Sequence, residues 1–161
     1  MPEAISNTSP LLYLYRIQAL DWLPQLFDDV WIPNAVVLEL EAGQKRGYDV
    51  PSLKRYLWIK VVEPRVIPPD WQALGLGPGE LAAMSLTLEH PTKIVLLDDM
   101  LARQAAQTSG LCVWGTLKIL LEAKSQGLTT TIKPLVYRLG NAGMWLSEEI
   151  VQRVLALADE T

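Results

Sequence analysis

The chain has 161 residues, half of them apolar and a fifth charged, which is the composition of a globular protein with a sizeable core. Its formal net charge of −4 excludes a global basic field that attracts nucleic acids, so any such contact needs a local patch. A single cysteine, Cys112, excludes an internal disulfide and a zinc cage of cysteines.

No apolar run reaches the roughly 20 residues that a membrane-spanning helix needs. The N-terminus also lacks a basic region followed by a cleavable apolar stretch, the pattern of an export signal. We therefore expect one domain over residues 1–161, in the cytoplasm and without contact to a membrane.

The first elements predict a strand followed by helices. Residues 4–6 are short and apolar, and Asn7 follows at the carboxyl end of the predicted strand. Ser9 before Pro10 predicts the start of a helix, with Ser9 as its cap and Pro10 as its first residue. A second, short helix is predicted to end near residue 26.

A second strand and helix follow, and then a third strand. Residues 30–33 predict the strand and residues 34–44 the helix, on which Glu39 lies beside the apolar stripe. Residues 52–56 predict one or two helical turns. Residues 57–62 are rich in β-forming side chains and predict the third strand.

Two acidic helix starts come next. The glycine-rich turn at 75–79 leads into a helix with Glu80 in its first turn, where the helix dipole favours a negative charge. Residues 93–97 predict a buried strand that runs into Asp98 and Asp99. Ligands gather at the carboxyl ends of strands in open α/β sheets, so this acidic pair is a candidate site. The alternative is a helix cap beside a solvated acid.

The last part of the chain predicts one more strand and three helices. Residues 111–114 form the strand, with Cys112 as a small buried hydrophobe, and Thr116 caps the helix that follows. Residues 132–139 and 147–158 predict two amphipathic helices. Strands that alternate with helices predict a three-layer α/β/α sandwich around a central, mainly parallel sheet.

Side-chain oxygens carry the chemistry that this sequence can support. The single histidine and single cysteine give no sign of a dyad, and neither a Gly-x-Ser-x-Gly elbow nor a phosphate loop is present. Clustered carboxylates either share a proton or bind a cation. Mg²⁺ and Mn²⁺ match an all-oxygen site, and metal-activated water attacking a phosphodiester is the reaction class indicated. The candidate ligands near strand ends or helix starts are Asn7, Glu39, Glu80, Asp98 and Asp99.

The order and spacing of several segments resemble the PIN-domain nucleases, and more narrowly the prokaryotic subgroup DUF3368. The likeness spans about residues 4–158 and covers nearly the whole chain. It rests on Ile5-Ser6-Asn7-Thr8-Ser9-Pro10-Leu11, Ile32 to Leu40, Leu76-Gly77-Pro78-Gly79-Glu80, Val95 to Asp99 with Ala102-Arg103, and Gly115-Thr116-Leu117 followed by Leu120 to Lys124.

The resemblance implies a PIN-like sandwich that acts as a divalent-metal-dependent ribonuclease, with the toxin of a toxin–antitoxin pair as its role. It implies that Mg²⁺ or Mn²⁺ is held by the acids at positions 39, 80, 98 and 99, which would be catalytic, although one sequence does not decide between the last two. Asn7 stands where the family usually has an aspartate, and this exchange removes a charge from the metal site. Thr8, Ser9 and Thr116 match supporting hydroxyl residues.

Other hypotheses remain open. The candidate RNA-backbone contacts are Lys45, Arg46, Arg103 and Lys118, each of which is alternatively a solvated charge. The partners implied are RNA, an antitoxin protein and a second copy of the chain. Most of the six tryptophans are expected in the core, and Trp22, Trp71 and Trp145 are the candidates for a subunit interface. The alternative function is a catalytically silent PIN-like module that binds RNA or a partner protein. A phosphotransfer domain is disfavoured, because it needs an acid where Asn7 stands.

Overall fold

The computed structural model describes residues 1–161, and its centre is a five-stranded parallel sheet in the order β3-β2-β1-β4-β5. The register pairs Ala4 with Val30 on one side and with Ile94 on the other. The predicted parallel sheet is confirmed. Its strands are β1 (Ala4–Ser6), β2 (Val30–Ile32), β3 (Ile59–Val61), β4 (Ile94–Leu96) and β5 (Val113–Trp114).

Nine α-helices surround the sheet, and single turns of 3-10 helix occupy Leu20–Trp22 and Leu53–Arg55. No helix has the length and apolar character that crossing a membrane requires. The helices are α1 (Thr8–Arg16), α2 (Leu23–Leu26), α3 (Asn34–Lys45), α4 (Pro69–Gln72), α5 (Pro78–Glu89), α6 (Met100–Thr108), α7 (Thr116–Ser125), α8 (Lys133–Asn141) and α9 (Glu148–Leu157).

Alternating side chains of the strands divide the core into two clusters. Ala4 and Leu96 face a larger cluster, to which α1, α2, α3, α7, α8 and α9 contribute. Ile5, Val95 and Leu97 face a smaller cluster built with α5 and α6. Because successive side chains of a strand point to opposite faces, both faces of the sheet are covered. The α/β/α sandwich predicted from the sequence is confirmed.

The strand order reverses at β1. The chain moves outward from β1 through β2 to β3 and then returns to β4, on the other side of β1. The backbone N–H of Asn7 donates to the carbonyl of Leu96 at 3.1 Å, so the carboxyl ends of β1 and β4 lie side by side. In open α/β sheets, ligands bind in the crevice at such a reversal.

Two cap assignments are wrong. Helix α1 begins at Thr8 with Asn7 at its cap, and Ser9 lies inside the helix. Pro10 fits there because the first-turn N–H groups of a helix lack partners within it. Thr116 is the first residue of α7, with Gly115 at the cap, because its hydroxyl is used elsewhere.

Two burial predictions also need correction. Cys112 is exposed, because β5 is an edge strand that starts only at the next residue. Among the candidate interface tryptophans, Trp71 is only 7% exposed and packs into the smaller core cluster. Trp22 packs partly buried against the larger cluster, whereas Trp145 is 83% exposed.

Candidate metal centre

The carboxylate of Glu39 joins three segments of the chain. Helix α3 carries Glu39 to the end of β1, where its Oε2 accepts a hydrogen bond from the Thr8 hydroxyl at 2.7 Å. Its Oε1 accepts from the backbone N–H of Gly79, at the start of α5, at 2.8 Å. These two donors fix the carboxylate at the carboxyl edge of the sheet.

Gly79 leaves room for two oxygens to converge. A Cβ at this position would lie 2.5 Å from Glu39 Oε1 and 2.8 Å from Asn7 Oδ1. Real Cβ atoms do not approach other atoms this closely, so a side chain there would displace one of the oxygens. Both oxygens therefore border one small space, which the absence of a side chain keeps open.

The side-chain oxygen of Asn7 has no hydrogen-bond partner, although the residue is only 4% exposed. A buried acceptor without a partner costs about 1–3 kcal/mol, so native structures usually supply one. A cation beside Glu39 would satisfy the Asn7 oxygen and the carboxylate together. The donor set at this point thus fits a hard divalent ion.

Glu80 lies in the same electrostatic neighbourhood. Its Oε1 accepts from the backbone N–H of Gly77 at 2.9 Å and so closes the first turn of α5. Burial raises the pKa of Glu80, the Gly77 hydrogen bond lowers it, and the charges of Asp99 and Glu39 raise it further. The net pKa of Glu80 is raised, mainly because the carboxyl is partly buried and further because other acids lie near it.

Asp98 faces a different neighbour. Its Oδ1 accepts from the Thr116 backbone N–H and its Oδ2 from the Thr116 hydroxyl, both at 2.7 Å. Burial raises the pKa of Asp98, and the Thr116 hydrogen bonds and the charge of Arg103 oppose that shift without cancelling it. Both oxygens of Asp98 are thus already engaged with the start of α7.

Asp99 caps the neighbouring helix. Its Oδ2 accepts from the backbone N–H of Ala102 at 2.9 Å, at the first turn of α6. The side chain is otherwise exposed. This geometry is the helix cap that the sequence offered as the alternative to a ligand.

The five predicted oxygen ligands therefore divide into groups. Asn7 and Glu39 converge on one space, and Glu80 is coupled by its charge to both Asp99 and Glu39. Asp98 and Asp99 lie at the same edge of the sheet but are bound to α7 and α6. No group of three or more His, Cys, Asp or Glu side chains is arranged to hold a metal ion.

The supporting and RNA-binding candidates also differ in their surroundings. Thr8 and Thr116 each donate to a predicted site carboxylate, whereas the Ser9 side chain forms no hydrogen bond. Lys45 and Arg46 are exposed at the end of α3. Lys118 is already engaged, because it pairs with Glu122 at 3.0 Å. The charge of Arg103 acts on Asp98, and both side chains border the start of α7 at Gly115.

Sequence reasoning missed the part played by Gly79. Glycine is unfavourable inside a helix, and Gly79 follows Pro78 in the first turn of α5, where no turn requires it. This unusual position was the feature of the sequence that could have indicated a close contact. It also missed Arg16 at the end of α1, which lines a cleft that opens beside Glu39. A basic residue in the last turn of a helix is ordinary, so this position gave no sign.

Comparison with known families gives one match. The family DUF3368, described as a PIN domain, matches residues 3–160. No curated protein and no solved structure matches the chain.

Proposed function

Because the chain belongs to the PIN-domain family DUF3368, we propose that it is a divalent-metal-dependent ribonuclease of PIN type. One observation carries the proposal. The buried, unpartnered oxygen of Asn7 and the fixed carboxylate of Glu39 border the same space at the reversal of the sheet. A bound cation would satisfy the acceptor and the carboxylate together, at a position in the sheet where ligands commonly bind.

Asn7 and Glu39 are the proposed ligands of Mg²⁺ or Mn²⁺, with Glu80 as a further acid whose charge is coupled to that of Glu39. When bound, the ion would activate water for attack on an RNA phosphodiester. The Thr8 hydroxyl and the Gly79 N–H orient the Glu39 carboxylate toward this role. Cation binding favours ionised carboxyls, so it would release any proton that the raised pKa of Glu80 retains.

Asp98 and Asp99 remain proposed catalytic acids of the same edge. Thr116 holds Asp98 and the cap of α6 holds Asp99, so in the proposal these two acids would act beside the ligands Asn7 and Glu39 rather than as members of one metal-binding cluster. Variants at both positions separate these roles from a purely structural one.

The test measures Mn²⁺ binding by calorimetry and the cleavage of structured and unstructured RNAs in Mg²⁺ or Mn²⁺. We expect Glu39→Gln to lose both binding and cleavage, and Asp98→Asn to lose cleavage. Asn7→Asp should bind Mn²⁺ more tightly, because affinity follows the charge of the ligands. Without metal it should unfold more easily, because a second buried carboxylate then faces Glu39 unpaired.

Asn141→Asp is the matched control for that exchange. It adds the same charge at an exposed position on the last turn of α8. It should leave Mn²⁺ affinity unchanged. Equal Mn²⁺ affinity for wild type, Glu39→Gln and Asn7→Asp would overturn the proposed centre.

A second candidate function is a catalytically silent module that binds RNA or a partner protein. The neutral Asn7 and the lack of a three-carboxylate cluster favour it. If wild type does not cut RNA in either metal and Asn7→Asp does, the chain is a silenced nuclease. If wild type cuts and Asp98→Asn does not, the ribonuclease stands.

The family resemblance further suggests the toxin of a toxin–antitoxin pair, a homodimer and a cytoplasmic location, and these stay predictions. A toxin should arrest growth when it is produced alone, and Glu39→Gln should relieve the arrest. Sedimentation of the purified chain at several concentrations tests the homodimer.

A further inference from the structure

A cleft leads away from the candidate metal centre between α1 and α3. It encloses about 290 Å³ and opens beside Thr8 and Glu39 at one end. Both helices start at the carboxyl edge of the sheet, after β1 and β2. Thr8 and Arg16 are the two ends of α1, so the cleft extends about 12 Å from the acids.

The far end of this cleft is basic and aromatic. Arg16 and Arg46 line it, and neither has a carboxylate within 4.0 Å. Tyr48 forms one wall and is 58% exposed. The missing side chain of Gly43 lets the Tyr48 ring and Val50 pack close to α3.

Arg16 is held in place by the backbone. Its Nε donates to the carbonyl of Asp49 at 3.0 Å and its Nη1 to the carbonyl of Ala142 at 2.8 Å. Two carbonyls leave the positive charge uncompensated and fix the direction of the guanidinium group. A positioned guanidinium is well suited to a phosphate group.

Two shallow depressions continue the cleft beyond Arg16. They enclose about 320 and 290 Å³, and Arg16 and Arg138 line both. Asp49 also lines the second one and opposes its positive charge. Arg16 lines the cleft and both depressions, so it lies between Thr8, Glu39, Arg46 and Tyr48 on one side and Arg138 on the other.

We propose that this cleft is the binding track for an unpaired strand of RNA, with one base stacked on Tyr48 and the adjoining phosphates held by Arg46, Arg16 and Arg138. The inference rests on the proposed function, because it gives that function its substrate class. Exposed aromatic rings next to a basic groove are the features that bind single strands, since every base has a face to stack. Duplex RNA keeps its bases paired and cannot use Tyr48.

The experiment measures binding without cleavage, using a short fluorescein-labelled single-stranded RNA of mixed sequence in EDTA, read by fluorescence anisotropy. We expect Tyr48→Ala to weaken binding about tenfold and Tyr48→Phe to retain it. Wild type should prefer the single strand to the same sequence as a duplex. Trp145→Ala is the comparison, because Trp145 is an exposed aromatic side chain in the other groove at this edge of the sheet, which Asp98, Arg103 and Lys118 also line. The proposed track predicts that this variant binds the RNA as tightly as wild type.

Salt dependence tests the arginines. Each lost phosphate contact reduces the slope of log affinity against log salt by about 0.7 for a single strand. Arg46→Gln and Arg138→Gln should each show this reduction, and Asp49→Asn should strengthen binding. Arg153→Gln is the control, because Arg153 pairs with Glu149 at 3.1 Å on α9 and should leave the slope unchanged.

The outcomes separate this inference from the proposed function. RNA cleavage by wild type together with unchanged affinity of Tyr48→Ala, Arg46→Gln and Arg138→Gln overturns the track and leaves the nuclease. The expected losses of affinity in a chain that never cuts RNA support the track and remove the nuclease. Loss of affinity in Trp145→Ala alone places the RNA elsewhere and overturns the track. Absence of RNA binding by wild type in EDTA also overturns the track, whereas the nuclease is judged by cleavage in Mg²⁺ or Mn²⁺.

Discussion

Two acidic neighbourhoods lie at the same edge of the sheet and differ in how their oxygens are satisfied. After β4, both oxygens of Asp98 accept hydrogen bonds from Thr116, with Arg103 close by. After β1, the Asn7 oxygen accepts none, although Glu39 beside it is well oriented. Both oxygens of Asp98 thus have hydrogen-bond donors within the chain, whereas the Asn7 oxygen lacks one.

This difference separates acids that stabilise the fold from oxygens that are free for a ligand. Hydrogen bonds to a carboxylate whose donors all lie in the chain contribute to folding whether or not a ligand is present, and they oppose the cost of burying its charge. A buried oxygen without a donor lowers stability until something binds it. The comparison therefore predicts that perturbations near Asp98 change stability, whereas perturbations near Asn7 change ligand binding.

Gly79→Ala should have the largest effect. The added Cβ collides with the oxygens of Asn7 and Glu39, so we expect Mn²⁺ affinity to fall by about 10–100-fold. Overpacking should also lower the free energy of unfolding by about 1–3 kcal/mol. Calorimetry and urea denaturation measure the two effects.

Gly140→Ala is its control, because a Cβ at that helical position meets nothing within 4 Å. It should stabilise the chain by up to about 1 kcal/mol and leave Mn²⁺ affinity unchanged. Unaltered Mn²⁺ binding by Gly79→Ala would contradict the shared space between Asn7 and Glu39.

Removal of the two threonine hydroxyls tests the comparison directly. Thr116→Val deletes a donor to Asp98 at a fully buried position, and we expect a loss of about 2 kcal/mol in urea denaturation with Mn²⁺ affinity retained. Thr8→Val deletes the donor to Glu39 and should instead weaken Mn²⁺ binding about tenfold. The comparison would be wrong if Thr116→Val weakened Mn²⁺ binding and Thr8→Val lowered only the stability.

The stability of the fold should depend on pH through the raised pKa of Asp98. Between the ordinary carboxyl pKa and the raised folded value, the folded state binds more protons than the unfolded state. The free energy of unfolding should therefore fall as the pH rises above about 4, the ordinary carboxyl value, and passes through the raised pKa of Asp98. Asp98→Asn cannot ionise and can still hydrogen-bond Thr116, so its stability relative to wild type should increase over that range. Urea denaturation at several pH values measures this difference.

Asp99→Ala should have the smallest effect. It removes the cap that accepts the Ala102 N–H, which is worth about 1 kcal/mol of stability. Asp99→Ser should keep the cap and the stability. A loss of RNA cleavage in both variants, with the cap preserved in the second, would assign Asp99 a role beyond the helix.

The sequence predicted the layers of the fold better than the details of the site. Apolar runs and helix starts were enough for the parallel sheet, because both depend on local patterns. The partners of the acids were not predictable, since Thr116 lies 18 residues from Asp98 and Gly79 lies 40 residues from Glu39. The organisation of residues 1–161 as one domain stays a prediction.

The edges of the sheet limit how the chain can associate with itself. β5 has two residues and β3 has three, so neither edge offers a useful row of unpaired backbone groups to a strand from another molecule. Extension of the sheet across a two-fold axis is therefore disfavoured. A dimer of this chain would therefore depend on side-chain contacts between surfaces, and its specificity would change with surface substitutions rather than with backbone pairing.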